Sequence, residues 1–231
     1  MCNGEALASP LLFAAAGRRA GPCLPETCVD LSFAYLDEHL IVVDKPSGLL
    51  SVPGRAAENQ DCVVSRLQAL YPDALTVHRL DMVTSGLLLH ARGKPMQVAL
   101  SALFERRQVH KRYVALVEGR ITGQAGEVEL PLRCDWENRP RQMVDHSLGK
   151  RALTRWRLLG HEGACSRVEL EPVTGRSHQL RVHLASLGHP IIGDGMYGAA
   201  PAARVCLHAA ELGFVHPATG QPLHLHSPAP F

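Results

Sequence analysis

Residues 78–86, with the sequence His-Arg-Leu-Asp-Met-Val-Thr-Ser-Gly, place a carboxylate between two β-prone segments. Asp81 follows Arg79 by two residues, and the Thr-Ser-Gly that comes after it is typical of a turn. Loops held by strands often carry catalytic groups, because their side chains face a cleft. An Asp in a turn can equally do no more than cap backbone amides, so this segment alone leaves both interpretations open.

A second polar group of residues occupies positions 174–183, with the sequence Thr-Gly-Arg-Ser-His-Gln-Leu-Arg-Val-His. Its two arginines, Arg176 and Arg181, come at the start of a predicted helix, where a cation opposes the helix dipole unless an anion accompanies it. That anion could be a carboxylate or a phosphate. If Arg181 contacts Asp81, the guanidinium favours the ionised acid and positions it bidentately. A purely structural ion pair is the alternative.

Other kinds of catalytic centre find little support in the sequence. His178 and His183 are five residues apart, so a helix directs them to different faces, and neither they nor His189 belong to an HExxH motif. A glycosidase needs two carboxylates, but only Asp81 lies in a motif-like setting. Phosphate-binding GxxxxGK[ST] and kinase glycine-rich motifs are also missing. We therefore do not expect a catalytic metal.

The composition is that of an ordinary globular protein. The 231 residues are 46% hydrophobic and 20% charged, and no apolar stretch is long enough to cross a membrane. Seven scattered cysteines without a CxxC motif favour reduced thiols and a cytoplasmic location. The net charge of +2 permits a nucleic-acid partner. Two basic stretches could follow phosphates or simply be solvated: Arg106, Arg107, His110, Lys111 and Arg112, and then Arg133, Arg139, Arg141, Lys150 and Arg151.

Hydrophobic periodicity predicts three helices and a series of strands. The helices are expected from an Asp61 N-cap to the residue before Pro72, from Pro95 to Arg106, and over 177–187, where Ser177 is the cap and Leu180, Leu184 and Leu187 face inward. Strands are expected over 33–43 with a turn inside, 49–52, 76–77, 111–118, 127–132, 152–159, 166–171, 204–208, 211–215 and 223–225. Strands that succeed one another without helices predict an α+β fold, with a mixed, largely antiparallel sheet flanked by helices. Residues 1–30 are expected to be a flexible leader, and 31–231 one catalytic domain.

Five sequence blocks, in order, resemble the pseudouridine synthase superfamily, in the branch of ribosomal large subunit synthases. They are 44–49 (DKPSGL), 78–86, 111–113 (KRY), 172–183 and 188–194 (GHPIIGD). Residues 51–55 and 130–140 narrow the resemblance to the synthase A branch, which acts on both ribosomal and transfer RNA. Many relatives carry an N-terminal S4 RNA-binding module, which we do not expect here because the leader is too short.

The resemblance implies an isomerase that needs no cofactor and a catalytic role for Asp81. The acid would attack C1′ or remove a sugar proton to give a glycal, and the sequence leaves both routes open. Tyr113 would stack on the target uracil and assist removal of its C5 proton, and Arg181 would pair with Asp81. Arg79 would fill the space that the flipped base leaves. Phosphate contacts would come from Arg106, Arg107, Lys111 and Arg112, so RNA binding should weaken as salt rises.

Several alternatives accompany this expectation. The enzyme could act on ribosomal RNA alone or on transfer RNA alone, or the chain could be a catalytically silent RNA-binding factor. A metal-dependent hydrolase that uses the histidines would instead lose activity with a chelator. The expected partner is RNA in stem-loops, without a membrane, and the expected state is a monomer.

Overall fold

The computed structural model describes residues 31–231, so the expected leader over 1–30 lies outside the described residues. The described part contains twelve strands and three α-helices. In chain order they are β1 (Ser32–Leu36), β2 (Leu40–Lys45), α1 (Val63–Leu70), β3 (Ala74–Thr76), β4 (Ser85–Arg92), α2 (Lys94–Glu105), β5 (His110–Glu118), β6 (Ala125–Glu129), β7 (Leu132–Cys134), β8 (Gln142–Val144), β9 (Leu153–Glu162), β10 (Cys165–Pro172), α3 (Gln179–Ser186), β11 (Leu207–Val215) and β12 (Pro222–His226).

Ten of the strands form one sheet. Its main order is β1-β2-β4-β11-β5-β10-β9-β6, while β3 pairs with β4 and β12 pairs with β11. The pair β4–β11 is parallel, and the other strand pairs of the described chain are antiparallel. Strands β7 and β8 form a separate hairpin. The predicted α+β class with a mixed, largely antiparallel sheet is confirmed.

Strand β4 anchors the segment that carries Asp81, because both of its faces are buried. Leu88 packs on one side with Val63 and Leu67 of α1. Leu87 and Leu89 pack on the other side, where α2 contributes Leu100. Side chains alternate between the faces of a strand, so an uninterrupted Leu-Leu-Leu run indicates a strand covered on both sides. The loop that carries Asp81 therefore ends at one of the most buried strands of the sheet.

The helix starts differ from those predicted. Helix α1 is capped by Cys62, whose Sγ accepts the Ser65 backbone N–H, and not by Asp61. Asp61 instead forms an ion pair with Arg66, 2.6 Å between Nη2 and Oδ2. At α3, Ser177 is not the cap either, because the N-cap is His178 in a left-handed conformation (φ 53°).

Four other predictions about the helices and strands differ from the structure. Leu187 is 41% exposed, so it does not face inward as predicted. Residues 49–52 form no strand and contribute only an isolated bridge between Leu50 and Cys62. The predicted strand 127–132 is divided between β6 and β7. Conversely, the two strands predicted within 204–215 are one strand, β11, with a bulge between Ala209 and Glu211.

His90, in β4, makes folding sensitive to acid. It is fully buried, and neither ring nitrogen has a hydrogen-bond partner within the described residues. Burial lowers the pKa of His90 to about 4, and the nearby Leu88 backbone only partly opposes this shift. The unfolded chain, with a histidine pKa near 6.5, therefore takes up the proton first. This contribution to stability is complete above pH 6.5 and declines as the pH falls towards 4.

We expect His90→Leu to remove this part of the acid dependence. At about 1.4 kcal/mol per pH unit, His90 should account for roughly 3 kcal/mol of lost stability between pH 6.5 and 4. Urea unfolding at pH 7.5, 6 and 5 measures the difference. His146→Gln, a change at an exposed histidine, serves as the control. An equal decline with pH in His90→Leu and the wild type would contradict the assignment.

Candidate active site

Asp81 lies in the loop between β3 and β4, and this loop is bound to the turn that follows β2. The Thr84 N–H donates to the Asp81 carbonyl (3.0 Å), which closes a tight turn. The carbonyl of the next residue, Met82, accepts the Gly48 N–H at 2.8 Å and the Lys45 Nζ at 3.0 Å. These hydrogen bonds fix the backbone on both sides of the Asp81 carboxylate. Because the Asp81 side chain is 26% exposed, a ligand can reach it.

Lys45 connects the two loops from within the protein. It is fully buried, and its Nζ also donates to the carbonyls of Pro46 (2.9 Å) and Leu49 (2.8 Å). Burial lowers the pKa of Lys45 to about 8, while the nearby Asp81 carboxylate opposes the shift. From the sequence, Lys45 was included in the 44–49 block but was given no role of its own. Lys45 is the last residue of the apolar strand Leu40–Lys45, and this position in the sequence could have indicated a buried cation.

Arg181 connects Asp81 to a second, deeply buried acid. Its Nη1 lies 3.5 Å from Asp81 Oδ2, whereas its Nε and Nη2 bind both oxygens of Asp194 at 2.6 and 2.8 Å. Arg181 and Asp194 are almost fully buried. The expectation that Arg181 holds Asp81 bidentately is therefore wrong, since the guanidinium fork is occupied by Asp194. Asp81 receives one longer contact.

His178 faces the other oxygen of Asp81. Its Nε2 lies 3.9 Å from Asp81 Oδ1, and its Nδ1 lies 2.8 Å from the Tyr197 hydroxyl. That hydroxyl accepts the Gln142 backbone N–H (2.9 Å), so its own proton is available for Nδ1. Burial also lowers the pKa of His178. These contacts favour a neutral imidazole with its proton on Nε2, directed towards Asp81.

Neither His178 nor Tyr197 was assigned a role from the sequence. His178 was included in the polar group 174–183 and weighed as a metal ligand, and Tyr197 was not singled out. The left-handed backbone of His178, uncommon for a residue other than glycine, often marks a functional site. This conformation is visible only in the structure, so the sequence offered no direct signal.

Tyr113, on β5, lies close enough to Asp81 for the two groups to interact electrostatically. Burial, and then the Asp81 charge, raises the pKa of Tyr113 above its ordinary value. The phenol is therefore neutral at physiological pH. Both roles predicted for Tyr113, stacking on the uracil and assisting removal of its C5 proton, stay predictions.

The predicted phosphate-contacting residues fall into two groups. Arg106 and Arg107 are exposed, and so is Arg79, which is predicted to fill the space left by the flipped base and not to contact phosphates. Lys111 lies over the Phe104 ring at 5.9 Å. Arg112 differs because it pairs with Glu169 at 3.3 Å and Glu211 at 3.8 Å, so its charge is largely compensated. A groove of about 680 Å³ runs between the end of α2 and the loop before α3, and Arg107, Lys111 and Arg176 lie along it. Its lining also contains Glu105, Glu171 and Arg155, and Arg155 is paired with Glu127 at 2.8 Å and Glu171 at 3.9 Å.

The histidines considered for a metal site are separated in the structure. His183 contacts Thr154 Oγ1 (2.9 Å), and His189 contacts the Glu118 carbonyl (2.8 Å). Within residues 31–231, no three His, Cys, Asp or Glu residues are grouped as metal ligands would be. Among the helices of this same region, none has the length and apolarity needed to span a bilayer.

Comparison with known proteins gives consistent matches. Residues 39–186 match the family model for RNA pseudouridylate synthase. A dual-specificity RNA pseudouridine synthase RluA from Yersinia pestis is 48% identical over 202 residues, which cover 85% of this chain and 98% of the relative. The protein of the same name from Escherichia coli K12 is 48% identical over 206 residues, covering 87% and 94%.

Solved structures agree with these sequence matches. Human RNA pseudouridylate synthase domain containing 1 superposes with a TM-score of 0.74 at 30% identity, covering 90% of this chain and 87% of the human one. Human RNA pseudouridylate synthase domain containing 4 gives a TM-score of 0.71 at 26% identity, covering 86% and 88%. The similarity therefore extends over most of the described fold.

Proposed function

This chain belongs to the RNA pseudouridylate synthase family, and we propose that it isomerises specific uridines in stem-loops of ribosomal and transfer RNA to pseudouridine. In this reaction the bond between N1 and C1′ breaks, the uracil turns, and C5 bonds to C1′. The proton lost from C5 is balanced by one gained at N1, so the atoms of substrate and product are the same. The names of the relatives give a dual specificity for RNA, and the assignment to ribosomal and transfer RNA rests on the resemblance carried by residues 51–55 and 130–140.

The observation that carries the proposal is the setting of Asp81. Its carboxylate is partly exposed, and its two oxygens face Arg181 and His178. We propose that this acid reacts at the sugar, by attack on C1′ or by removal of a sugar proton. Arg181 and His178 contact the carboxylate from the protein side and so restrict its orientation.

The remaining site residues fit the handling of a flipped nucleotide. A base within a stem-loop must leave its stack before its glycosidic bond can be reached. We propose that the Tyr113 ring stacks on the flipped uracil. Arg79, exposed two residues before Asp81, would occupy the space left behind. Residues 31–231 would act as one catalytic domain, working as a monomer in the cytoplasm.

Exposed cations along the groove should contact RNA phosphates, so affinity should fall as salt rises. Each phosphate contact contributes about 0.7–0.9 to the slope of log K against log salt. We expect Arg107→Gln to lower this slope by nearly one contact. Arg112→Gln is the matched control, because Glu169 and Glu211 already compensate Arg112. Filter binding across a salt series measures both slopes. A larger loss for Arg112→Gln than for Arg107→Gln would contradict this assignment.

Mapping pseudouridines in ribosomal and transfer RNA tests the proposed function. RNA from cells with and without the protein should differ at a few uridines in stem-loops, and re-expression of the wild type should restore them. Restoration by an Asp81→Asn protein would instead indicate a catalytically silent RNA-binding factor. Identical maps with and without the protein would reject the activity in these RNAs.

A further inference from the structure

The β7–β8 hairpin presents an aromatic side chain to solvent. Trp136, at the hairpin tip formed by residues 135–141, is 64% exposed, although it has the largest side chain of any residue. Exposure of so large a ring loses the burial free energy that a core position would provide. Tryptophan is enriched among the residues that carry binding energy at interfaces, so its surroundings decide whether this ring is a contact site.

The hairpin tip has a defined structure. Asp135 and Arg141 are joined through the Asp135 N–H and the Arg141 carbonyl (3.0 Å), and the Arg141 N–H donates to the Asn138 carbonyl (3.0 Å). Arg139 Nε donates to the Trp136 carbonyl at 3.1 Å. Its guanidinium lies over the indole, 4.7 Å from the ring centroid. The ring is therefore supported on one face before any ligand binds.

The hairpin is attached directly to the candidate active site. Its Gln142 N–H donates to the Tyr197 hydroxyl, which also contacts His178. The Tyr197 ring lies near two guanidiniums, Arg181 at 5.0 Å and Arg141 at 5.9 Å. Trp136 lies two residues beyond the last pair of the hairpin, Cys134–Gln142. Trp136 therefore lies at the same end of the hairpin as Gln142, the residue that contacts Tyr197.

The charge of the tip suits a nucleic acid. Within residues 31–231, neither Arg139 nor Arg141 forms an ion pair with a carboxylate. Asp135 accepts a hydrogen bond from Asn138 Nδ2 (3.0 Å) and keeps its charge, so Asp135 and Glu137 equal the two arginines in number. What suits a nucleic acid is that both guanidiniums are free of a carboxylate partner among the described residues. Aromatic rings with a stacked arginine bind unpaired bases regardless of sequence, because every base has a π-face.

We propose that the Trp136–Arg139 pair is a second base-binding site, which stacks an unpaired nucleobase of the RNA loop near the target uridine. This inference rests on the proposed function for the identity of the ligand. It assigns the hairpin a role in substrate selection, because only an RNA with an unstacked base at the right distance can occupy both sites. An RNA loop would then bind well only if its shape placed one base at the uracil site and another at the hairpin site.

The test combines protein variants with abasic RNA. A synthetic RNA stem-loop with a uridine in its loop, chosen because the protein binds it, is titrated with Asp81→Asn protein, so that no turnover occurs, with Trp136 intact or changed to Ala or Phe. We expect Trp136→Ala to weaken binding roughly 10- to 100-fold and Trp136→Phe to restore most of it. Leu148→Ala, at a 76% exposed residue just after β8, is the matched control and should bind like its parent.

An abasic nucleotide placed in turn at each loop position identifies the partner base. At one position the loss from the abasic site and the loss from Trp136→Ala should not add, because both remove the same stack. Binding should also quench the fluorescence of Trp136. The fluorescence of Trp156, the second tryptophan of the sequence, would remain as background. Unchanged affinity in Trp136→Ala, or additive losses at every loop position, would overturn the proposal. If the wild type forms no pseudouridine but the coupling persists, the proposed function fails and the base site stands.

Discussion

Replacing Asp81 by Asn is expected to abolish pseudouridine formation while RNA affinity stays within a few-fold of the wild type. The amide has the same shape but neither a negative charge nor a useful nucleophile. Loss of an essential catalytic group usually lowers the rate by at least about 10³-fold. The fold should persist, because Arg181 keeps its pair of hydrogen bonds to Asp194. Single-turnover assays with excess enzyme separate this chemical loss from weaker binding.

A matched acid-to-amide change controls for the loss of charge. Glu58→Gln alters an exposed carboxylate on a 3₁₀ turn that has no contact with Asp81 among the described interactions. This variant should retain wild-type turnover and affinity. A normal rate in Asp81→Asn would remove Asp81 from the chemistry. A parallel loss of RNA affinity would show that Asp81 acts in binding.

Changing Arg181 to Met is expected to reduce both stability and activity. The substitution leaves Asp194, which is 1% exposed, without its cation. Breaking one side of a buried ion pair typically costs about 3–5 kcal/mol. Asp81 also loses its contact at 3.5 Å. Urea unfolding should show the loss of stability, and single-turnover rates should fall at concentrations where the variant remains folded.

A double variant separates the two effects. Arg181→Met combined with Asp194→Leu removes both buried charges, and apolar replacements of a buried pair are often neutral or stabilising. We expect stability to recover substantially while activity stays low, because Asp81 still lacks the guanidinium. Recovery of the rate together with stability would mean that Arg181 serves folding alone.

Much of the fold could be predicted from the sequence because its causes are local. Alternating apolar residues over 111–118 and 166–171 predict β5 and β10, and the apolar run Leu87 to Leu89 identifies the buried β4. The helix caps were harder to predict from the sequence. A thiol at Cys62 competes with the better capping carboxylate of Asp61, and the outcome depends on Arg66, which attracts that carboxylate.

The candidate site could be predicted only in part. Sequence motifs singled out Asp81, Arg181 and Tyr113, and the structure brings these three together. The second acid, Asp194, and the Tyr197–His178 contact depend on a loop that returns to α3 after the chain has turned, and local pattern does not specify such contacts. Lys45 was detectable in principle, as a charge at the end of a buried apolar strand.

The position of β11 in the sheet has a consequence for synthesis. One half of the sheet is built on β1, β2 and β4, and the other half on β5, β10, β9 and β6. Among the strands of residues 31–231, only β11 pairs with both halves. A growing polypeptide thus makes both halves before the strand that unites them leaves the ribosome. Until then, each half exposes an unpaired edge that invites aggregation. Nascent chains halted before residue 207 should therefore depend on chaperones more than chains released after residue 215.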